Sequence, residues 1–143
     1  MKYLLATDGS EASLKAARFL VQQSCPGPED GVFVIYVFPL PSDPGFFEGV
    51  DGVPTDAGDE RVRRVAASVL ERTRDALAGL EAQVEDVVLV GNPGKEIVEF
   101  ATNLEVDLVV AGTRGHSADR ELYLGSISNA LAHRAPCSVL IVR

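Results

Sequence analysis

Five short apolar runs, rich in Val, Ile and Leu, alternate with amphipathic stretches along this chain, and this alternation restricts the folds open to it. The runs cover residues 3–7, 32–38, 84–90, 108–111 and 138–142. Most are continuously apolar, which is typical of strands covered on both faces of a parallel sheet. We therefore predict five strands of this kind.

Helical patterns fill the segments between the runs, at residues 10–24, 60–80, 95–104 and 126–133. The clearest is the segment 60–80, where mostly apolar residues recur at i, i+3, i+4 and i+7 while charged residues occupy the other face. Its predicted inner face is Val62, Val65, Ala66, Val69, Thr73, Ala76, Leu77 and Leu80. Strands alternating with helices predict an α/β fold, a doubly wound parallel sheet with helices on both faces.

The chain length and composition fit one ordinary domain with a real core. It has 143 residues, of which 46% are hydrophobic and 24% are charged. The formal net charge of −8 argues against a protein that binds nucleic acids or anionic membranes. No apolar run approaches the roughly 18 residues of a membrane helix, and the N-terminal run is too short for a signal peptide. We therefore expect a soluble cytoplasmic protein.

Residues 41–60 are predicted to form a long loop. This segment carries six acidic residues, no Lys or Arg, three prolines and four glycines. Loops of this length in a compact domain are usually functional or mobile. Phe46 and Phe47 within it either pack on the body of the protein or help to cover a ligand.

A glycine-rich segment follows the fourth predicted strand and indicates a phosphate site. Gly112-Thr113-Arg114-Gly115 comes directly after the run 108–111, and Gly125-Ser126 opens the last predicted helix. A strand that runs into glycines and then a helix can bring backbone N–H groups up to phosphate oxygens. Arg114 and the Ser126 hydroxyl are then candidate phosphate contacts. The alternative is that the glycines only shape a turn and start a helix.

Asp8 follows the first predicted strand and has two possible roles. Ligands of open α/β sheets bind beyond the carboxyl ends of the strands, where Asp8 could accept a hydrogen bond from a ribose hydroxyl. Asp8 or the nearby Ser10 could instead cap the helix that follows, since both residue types are favoured at that position. The residues alone leave both roles open.

Other nucleotide and catalytic motifs are not matched. The segment Gly91-Asn92-Pro93-Gly94-Lys95 has too few residues between its glycines for a P-loop, and Glu96 stands where Ser or Thr is needed. We interpret it as a turn from a strand to a helix. The spacing of Gly112 and Gly115 is not the dinucleotide fingerprint, and no metal-ligand spacing or Ser–His–Asp arrangement is present.

The spacing Gly112-x2-Gly115-x9-Gly125-Ser126 resembles the ATP-binding branch of the universal stress protein family, whose motif is G-x2-G-x9-G-[S/T]. The similarity extends to the opening residues 4–10, the turn 91–93 and the closing residues 135–142. The resemblance implies a five-stranded parallel sheet in the order 3-2-1-4-5, with ATP at the junction of strands 1 and 4.

The resemblance also assigns site residues. Ala6, Thr7 and Asp8 would meet the adenosine and Val37 would flank the adenine, while ATP-binding relatives often have proline where Ala6 stands. The ribose and phosphates would be surrounded by Gly112, Arg114, Gly115, Gly125, Ser126 and Ile127. Mg²⁺ would accompany the triphosphate, and a homodimer would form through the last strand. That apolar strand would otherwise be an exposed sheet edge.

The function predicted from these observations is nucleotide-dependent regulation with little or no turnover. One alternative is a slow ATPase, or a protein that phosphorylates itself at Ser126 or Ser128. A third reading is an interaction module that never binds nucleotide.

Overall fold

The strands of this computed structural model, which describes residues 1–41, 52–113 and 124–143, form a five-stranded sheet in the order β3-β2-β1-β4-β5. All four neighbouring pairs are parallel. The strands are β1 (Lys2–Ala6), β2 (Gly31–Pro39), β3 (Gln83–Gly91), β4 (Leu108–Gly112) and β5 (Ser138–Val142). The predicted fold class and the strand order implied by the resemblance are both confirmed.

Four α-helices connect these strands in the described part of the chain: α1 (Glu11–Phe19), α2 (Glu60–Ala76), α3 (Pro93–Asn103) and α4 (Ser126–Arg134). A π-helical turn, Leu20–Ser24, continues α1 and ends at Cys25, whose φ is 42°. A side chain caps the N-terminus of each of the first three helices: Ser10 caps α1, Asp59 caps α2 and Asn92 caps α3. Because Asn92 caps α3 directly after β3, this segment is the strand-to-helix turn that we predicted.

The helices lie on both faces of the sheet. One core cluster joins the sheet to α1 and α2 through residues such as Leu5, Leu20 and Leu77. The other joins the sheet to α3 and α4 through Ile97 and Leu131, among others. Each face of the central strands is thereby covered, which explains why these strands read as continuous apolar runs.

Helix α2 is shorter than its sequence pattern predicts. It ends at Ala76 instead of residue 80, and Gly79 beyond it has a φ of +90°. Its buried residues are Val62, Ala66, Val69 and Thr73, whereas Val65 is 41% exposed. The helix therefore buries a narrower stripe than the periodic pattern indicates, because Val65 lies on its solvent side.

The two edge strands differ in charge. Strand β3 pairs only with β2 in the sheet order and is largely exposed or half-buried, so it is not covered on both faces as its apolar run predicts. Glu85 and Asp86 lie within it, and Asp86 forms an ion pair with Arg74 of α2 at 2.9 Å. Strand β5 carries no charged residue. None of the helices in the described ranges has the length and apolar character needed to cross a membrane.

Candidate functional site

The carboxyl ends of β1 and β4 lie side by side at the centre of the sheet. Leu5 of β1 pairs with Val110 of β4, and Ala6 pairs with Ile35 of β2 on the other side. Directly after β1, the amide of Thr7 donates to the carbonyl oxygen of Ile35 at 3.0 Å. From β1 the sheet continues toward β3 on one side and β5 on the other. Such a switch point is where ligands of open α/β sheets bind.

Gly112 ends β4 against the backbone of α1. A Cβ atom added to Gly112 would lie 2.5 Å from the carbonyl carbon of Ala12 and 2.6 Å from its oxygen. Contacts this short with rigid backbone are not tolerated, so a residue with a side chain would push β4 away from α1. Gly112 thus has a packing role at the edge of the candidate site, independent of any phosphate.

The start of α4 is bound to the end of β4. The amide of Gly125 donates to the carbonyl oxygen of Thr113 at 2.8 Å. The buried Ser128 hydroxyl lies 2.9 Å from the same oxygen and 3.0 Å from the carbonyl oxygen of Gly125. The amide of Thr113 in turn donates to Val142 of β5. The structure therefore brings Gly112 and Gly125, thirteen positions apart, to one corner of the sheet.

Helix α4 begins without a side-chain cap within the described residues. Its N-cap is Gly125, whereas Ser10, Asp59 and Asn92 each accept a hydrogen bond from a first-turn amide of their own helix. The first-turn N–H groups of a helix carry partial positive charge and attract anions. Ser126 is exposed at this end, while Ile127 packs against the core cluster on the α3–α4 face.

Asp8 lies in the turn between β1 and α1 and is partly exposed. Its Oδ1 accepts a hydrogen bond from the amide of Ser10 at 2.9 Å, while the Ser10 hydroxyl accepts from the Ser13 amide and is the N-cap of α1. The capping role left open for Asp8 therefore belongs to Ser10. The Asp8 carboxylate is held in place by the turn, beside the end of β4.

Three of the remaining predicted site residues are buried in the body of the protein. Ala6 and Val37 are buried in the cluster beneath α3 and α4. The Thr7 side chain is also buried, and its hydroxyl contacts Thr73 of α2. Arg114 and Gly115 lie outside the described residues. The assignments of all these residues to a nucleotide remain predictions.

Sequence reasoning missed Tyr36, a buried residue of β2 that packs against Ala66 and Val69 of α2. Burial raises the pKa of its hydroxyl, and the negative charge of Asp8 raises this pKa further. Tyr36 therefore lies within electrostatic reach of the turn after β1. Its position one residue before Val37 was the available signal, but the apolar run concealed which face it occupies.

A groove of about 420 Å³ lies elsewhere, between α1 and α2, where its lining includes Leu14, Arg18, Arg72 and Asp75. None of the predicted nucleotide residues lines it. The strand ends, where backbone amides and a helix N-terminus converge, remain the candidate site on chemical grounds.

The fold defines a doubly wound α/β architecture with a parallel sheet, and comparison with known proteins gives its family. The sequence matches the universal stress protein family over residues 1–143, so the chain belongs to that family. It is 31% identical over 147 residues to universal stress protein MJ0531 of Methanocaldococcus jannaschii, covering 99% of this chain and 81% of that protein.

Solved structures share the fold. The hypothetical protein MJ0577 superimposes with a TM-score of 0.75 at 22% identity, over 99% of this chain and 94% of that one. The universal stress protein of Archaeoglobus fulgidus, solved in complex with dAMP, superimposes with a TM-score of 0.68 at 19% identity, over 100% and 98% of the two chains.

Proposed function

We propose that this protein binds ATP where β1 and β4 end and that it acts as a nucleotide-dependent regulatory protein in a stress response, with little or no turnover. The observation that carries the proposal is the start of α4, which has no side-chain cap among the described residues and is held against β4 by the bond from Gly125 to Thr113. A phosphate group there would accept hydrogen bonds from the first-turn amides of α4. In the other three helices, an amide of the first turn donates to a side-chain cap instead.

An adenine nucleotide fits the residues around this corner. The Asp8 carboxylate would accept hydrogen bonds from ribose hydroxyls. The Archaeoglobus relative with the same fold was solved with dAMP, which supports an adenine nucleotide as the ligand class. Bound Mg²⁺ would neutralise part of the triphosphate charge in this acidic protein.

The environment of Ser128 supports regulation over self-phosphorylation at that residue. Ser128 is 2% exposed, and its hydroxyl is engaged with the carbonyl oxygens of Thr113 and Gly125. A buried hydroxyl whose proton is already donated is a poor phosphate acceptor. Ser126 is exposed and remains open to such a reaction.

The decisive experiment is calorimetric titration of ATP with Mg²⁺ into protein refolded to remove any carried nucleotide. We expect saturable binding near one ATP per chain, with a Kd in the micromolar range or below, about −8 kcal/mol or stronger. Parallel titrations with ADP and AMP measure the preference for phosphate number, and released phosphate measures turnover. Absence of both heat and thermal stabilisation would refute the proposal.

A variant pair assigns the binding to the glycine-rich segment. Gly115→Leu should abolish ATP binding and leave the fold intact, as judged by circular dichroism. Gly31→Leu is the control, because Gly31 lies at the amino end of β2 and an added Cβ there meets no atom within 4 Å. Normal ATP binding by Gly115→Leu would show that the segment was wrongly assigned.

We further propose that a second copy of the chain pairs along β5, as the family resemblance implies. Strand β5 is the uncharged edge of the sheet, whereas β3 at the other edge carries Glu85 and Asp86. Charged residues on an edge strand oppose pairing with another chain. A symmetric dimer through β5 would bury the apolar edge.

A further inference from the structure

Four buried hydroxyl groups meet beneath the turn that follows β1. They belong to Thr7 after β1, Ser10 and Ser13 at the start of α1, and Thr73 of α2, which is 0% exposed. With Ser128 they are the buried Ser and Thr side chains of the described ranges. A buried hydroxyl is costly without a hydrogen-bond partner, so the directions of these bonds are strongly restricted.

These hydroxyls form a connected series of hydrogen bonds. Thr73 Oγ1 donates to the carbonyl oxygen of Val69, one turn earlier in α2, at 2.8 Å. Thr73 Oγ1 also lies 2.8 Å from Thr7 Oγ1, and either hydroxyl can be the donor of that bond. Thr7 Oγ1 in turn accepts from the amide of Gly9 at 3.2 Å. A continuous chain of bonds therefore runs from the turn after β1 into the backbone of α2.

Steric contact reinforces this connection. Gly9 has a φ of +75°, and a Cβ atom added to it would lie 3.3 Å from Cγ2 of Val69. The same turn of α2 thus contacts Gly9 through Val69 and Thr7 through Thr73. Asp8 stands between these two residues, and its carboxylate is oriented by the amide of Ser10.

We propose that Thr73 is a positioning residue of the nucleotide site, whose hydroxyl holds Thr7 and thereby sets the conformation of the turn that presents Asp8. The proposal rests on the proposed function, because it concerns the same site. Thr7 Oγ1 also donates to Ser13 Oγ of α1 at 3.2 Å, and this hydroxyl would be its remaining side-chain partner without the Thr73 hydroxyl. Thr7 would turn toward α1, and the Gly9 amide would lose its partner.

The test compares Thr73→Val, which has nearly the same volume but no hydroxyl, with Thr73→Ser, which retains the hydroxyl. Thr102→Val is the matched control, because Thr102 of α3 donates to the Val98 carbonyl at the same 2.8 Å and is exposed. The measurements are the Kd for ATP with Mg²⁺ and the hydrogen-exchange rate of the Gly9 amide by NMR.

We expect Thr73→Val to weaken ATP binding roughly three- to tenfold, as loss of one neutral hydrogen bond would. Exchange at Gly9 should become faster in that variant alone, while Thr73→Ser and Thr102→Val should bind ATP as the unmodified protein does. Should Thr73→Val fail to fold, Thr73→Ala compared with Thr73→Ser isolates the hydroxyl, because these two variants differ by that group alone.

Unchanged ATP affinity and Gly9 exchange in a folded Thr73→Val protein would overturn the positioning role while leaving the proposed function intact. An equal loss of affinity in Thr102→Val would also overturn it, since the effect would then be general. Failure of the unmodified protein to bind ATP would refute the proposed function instead. The Gly9 exchange rates would still decide whether Thr73 holds the turn.

Discussion

The amide of Gly125 donates a hydrogen bond to the carbonyl oxygen of Thr113 at 2.8 Å, and this bond fixes the start of α4 beside the end of β4. A polar N-cap side chain would instead accept a hydrogen bond from an amide in the first turn of α4. This relationship connects the two halves of the glycine pattern seen in the sequence.

Removal of the Ser128 hydroxyl should lower the stability of the protein slightly, through contacts that involve no ligand. Ser128→Ala deletes contacts to the carbonyl oxygens of Thr113 and Gly125. Both oxygens keep a backbone donor, from Gly125 and Asn129 respectively, so the free energy of unfolding should fall by only about 1 kcal/mol. Urea unfolding measures this change, and a loss far above it would show that Ser128 has further partners.

Ser126→Ala should instead leave the stability nearly unchanged and weaken ATP binding. Ser126 is exposed, so its removal should alter stability by less than about 0.5 kcal/mol. If its hydroxyl donates to a phosphate oxygen, ATP binding should weaken roughly tenfold, the effect of one hydrogen bond to a charged group. Unchanged affinity in calorimetry would remove Ser126 from the predicted phosphate contacts.

Gly112→Ala should be strongly destabilising for steric reasons. Its Cβ would lie 2.5 Å from the backbone of Ala12, so either β4 or α1 must move. We expect a loss at the upper end of the roughly 1–3 kcal/mol that overpacking costs, measured by chemical unfolding. Gly31→Ala is the control, with open space at its Cβ. Equal stabilities of the two variants would contradict the close packing of β4 on α1.

Asp59 should make the stability of the protein depend on acidic pH. The hydrogen bond from Arg61 lowers its pKa to about 2, whereas an ordinary Asp titrates near about 4. A carboxyl with a lowered folded-state pKa stabilises the fold above its unfolded pKa, and this contribution disappears as the pH falls from about 4 toward 2.

Asp59→Asn retains an N-cap oxygen for α2 but cannot ionise. Its stability deficit relative to the unmodified protein should therefore be largest near neutral pH and shrink as the pH is lowered through that window. Urea unfolding at several pH values would follow the difference. A deficit independent of pH would mean that the Arg61 interaction does not depend on the Asp59 charge.

Ile141→Pro should block assembly along β5 without breaking the sheet. The Val142 carbonyl accepts from the amide of Thr113, so its backbone faces β4 and that of Ile141 faces the free edge. Proline is tolerated in edge strands where its missing N–H would point outward. We expect a monomer by analytical ultracentrifugation, with Ile141→Val remaining dimeric. A Pro variant that still dimerises would place the interface elsewhere.

The apolar runs predicted the strands well because burial on both faces leaves a strong signal in the sequence. It predicted the position of β3 but not its burial: Val87 and Leu89 are only half-buried, because β3 is an edge strand and a single apolar run does not show its place in the sheet. It failed in the same way at Val65, whose spacing matches the inner face of α2 although its side chain is exposed.

Asp8 and Ser10 illustrate the limit for the candidate site. Both residue types cap helices, and the sequence alone left the cap of α1 open. Backbone geometry decided it, since the Ser13 amide points at Ser10 and the Ser10 amide at Asp8.

The sequence by itself determined the strand and helix pattern, the family, and the set of glycines near the last helix, because these depend on residue type and spacing along the chain. Only the tertiary structure showed that Gly112 must lack a side chain to pass Ala12, and that Thr73 of α2 bonds to Thr7. Thr7 and Thr73 lie 66 residues apart in the chain. Their contact arises from the packing of α2 on the sheet, which no local pattern encodes.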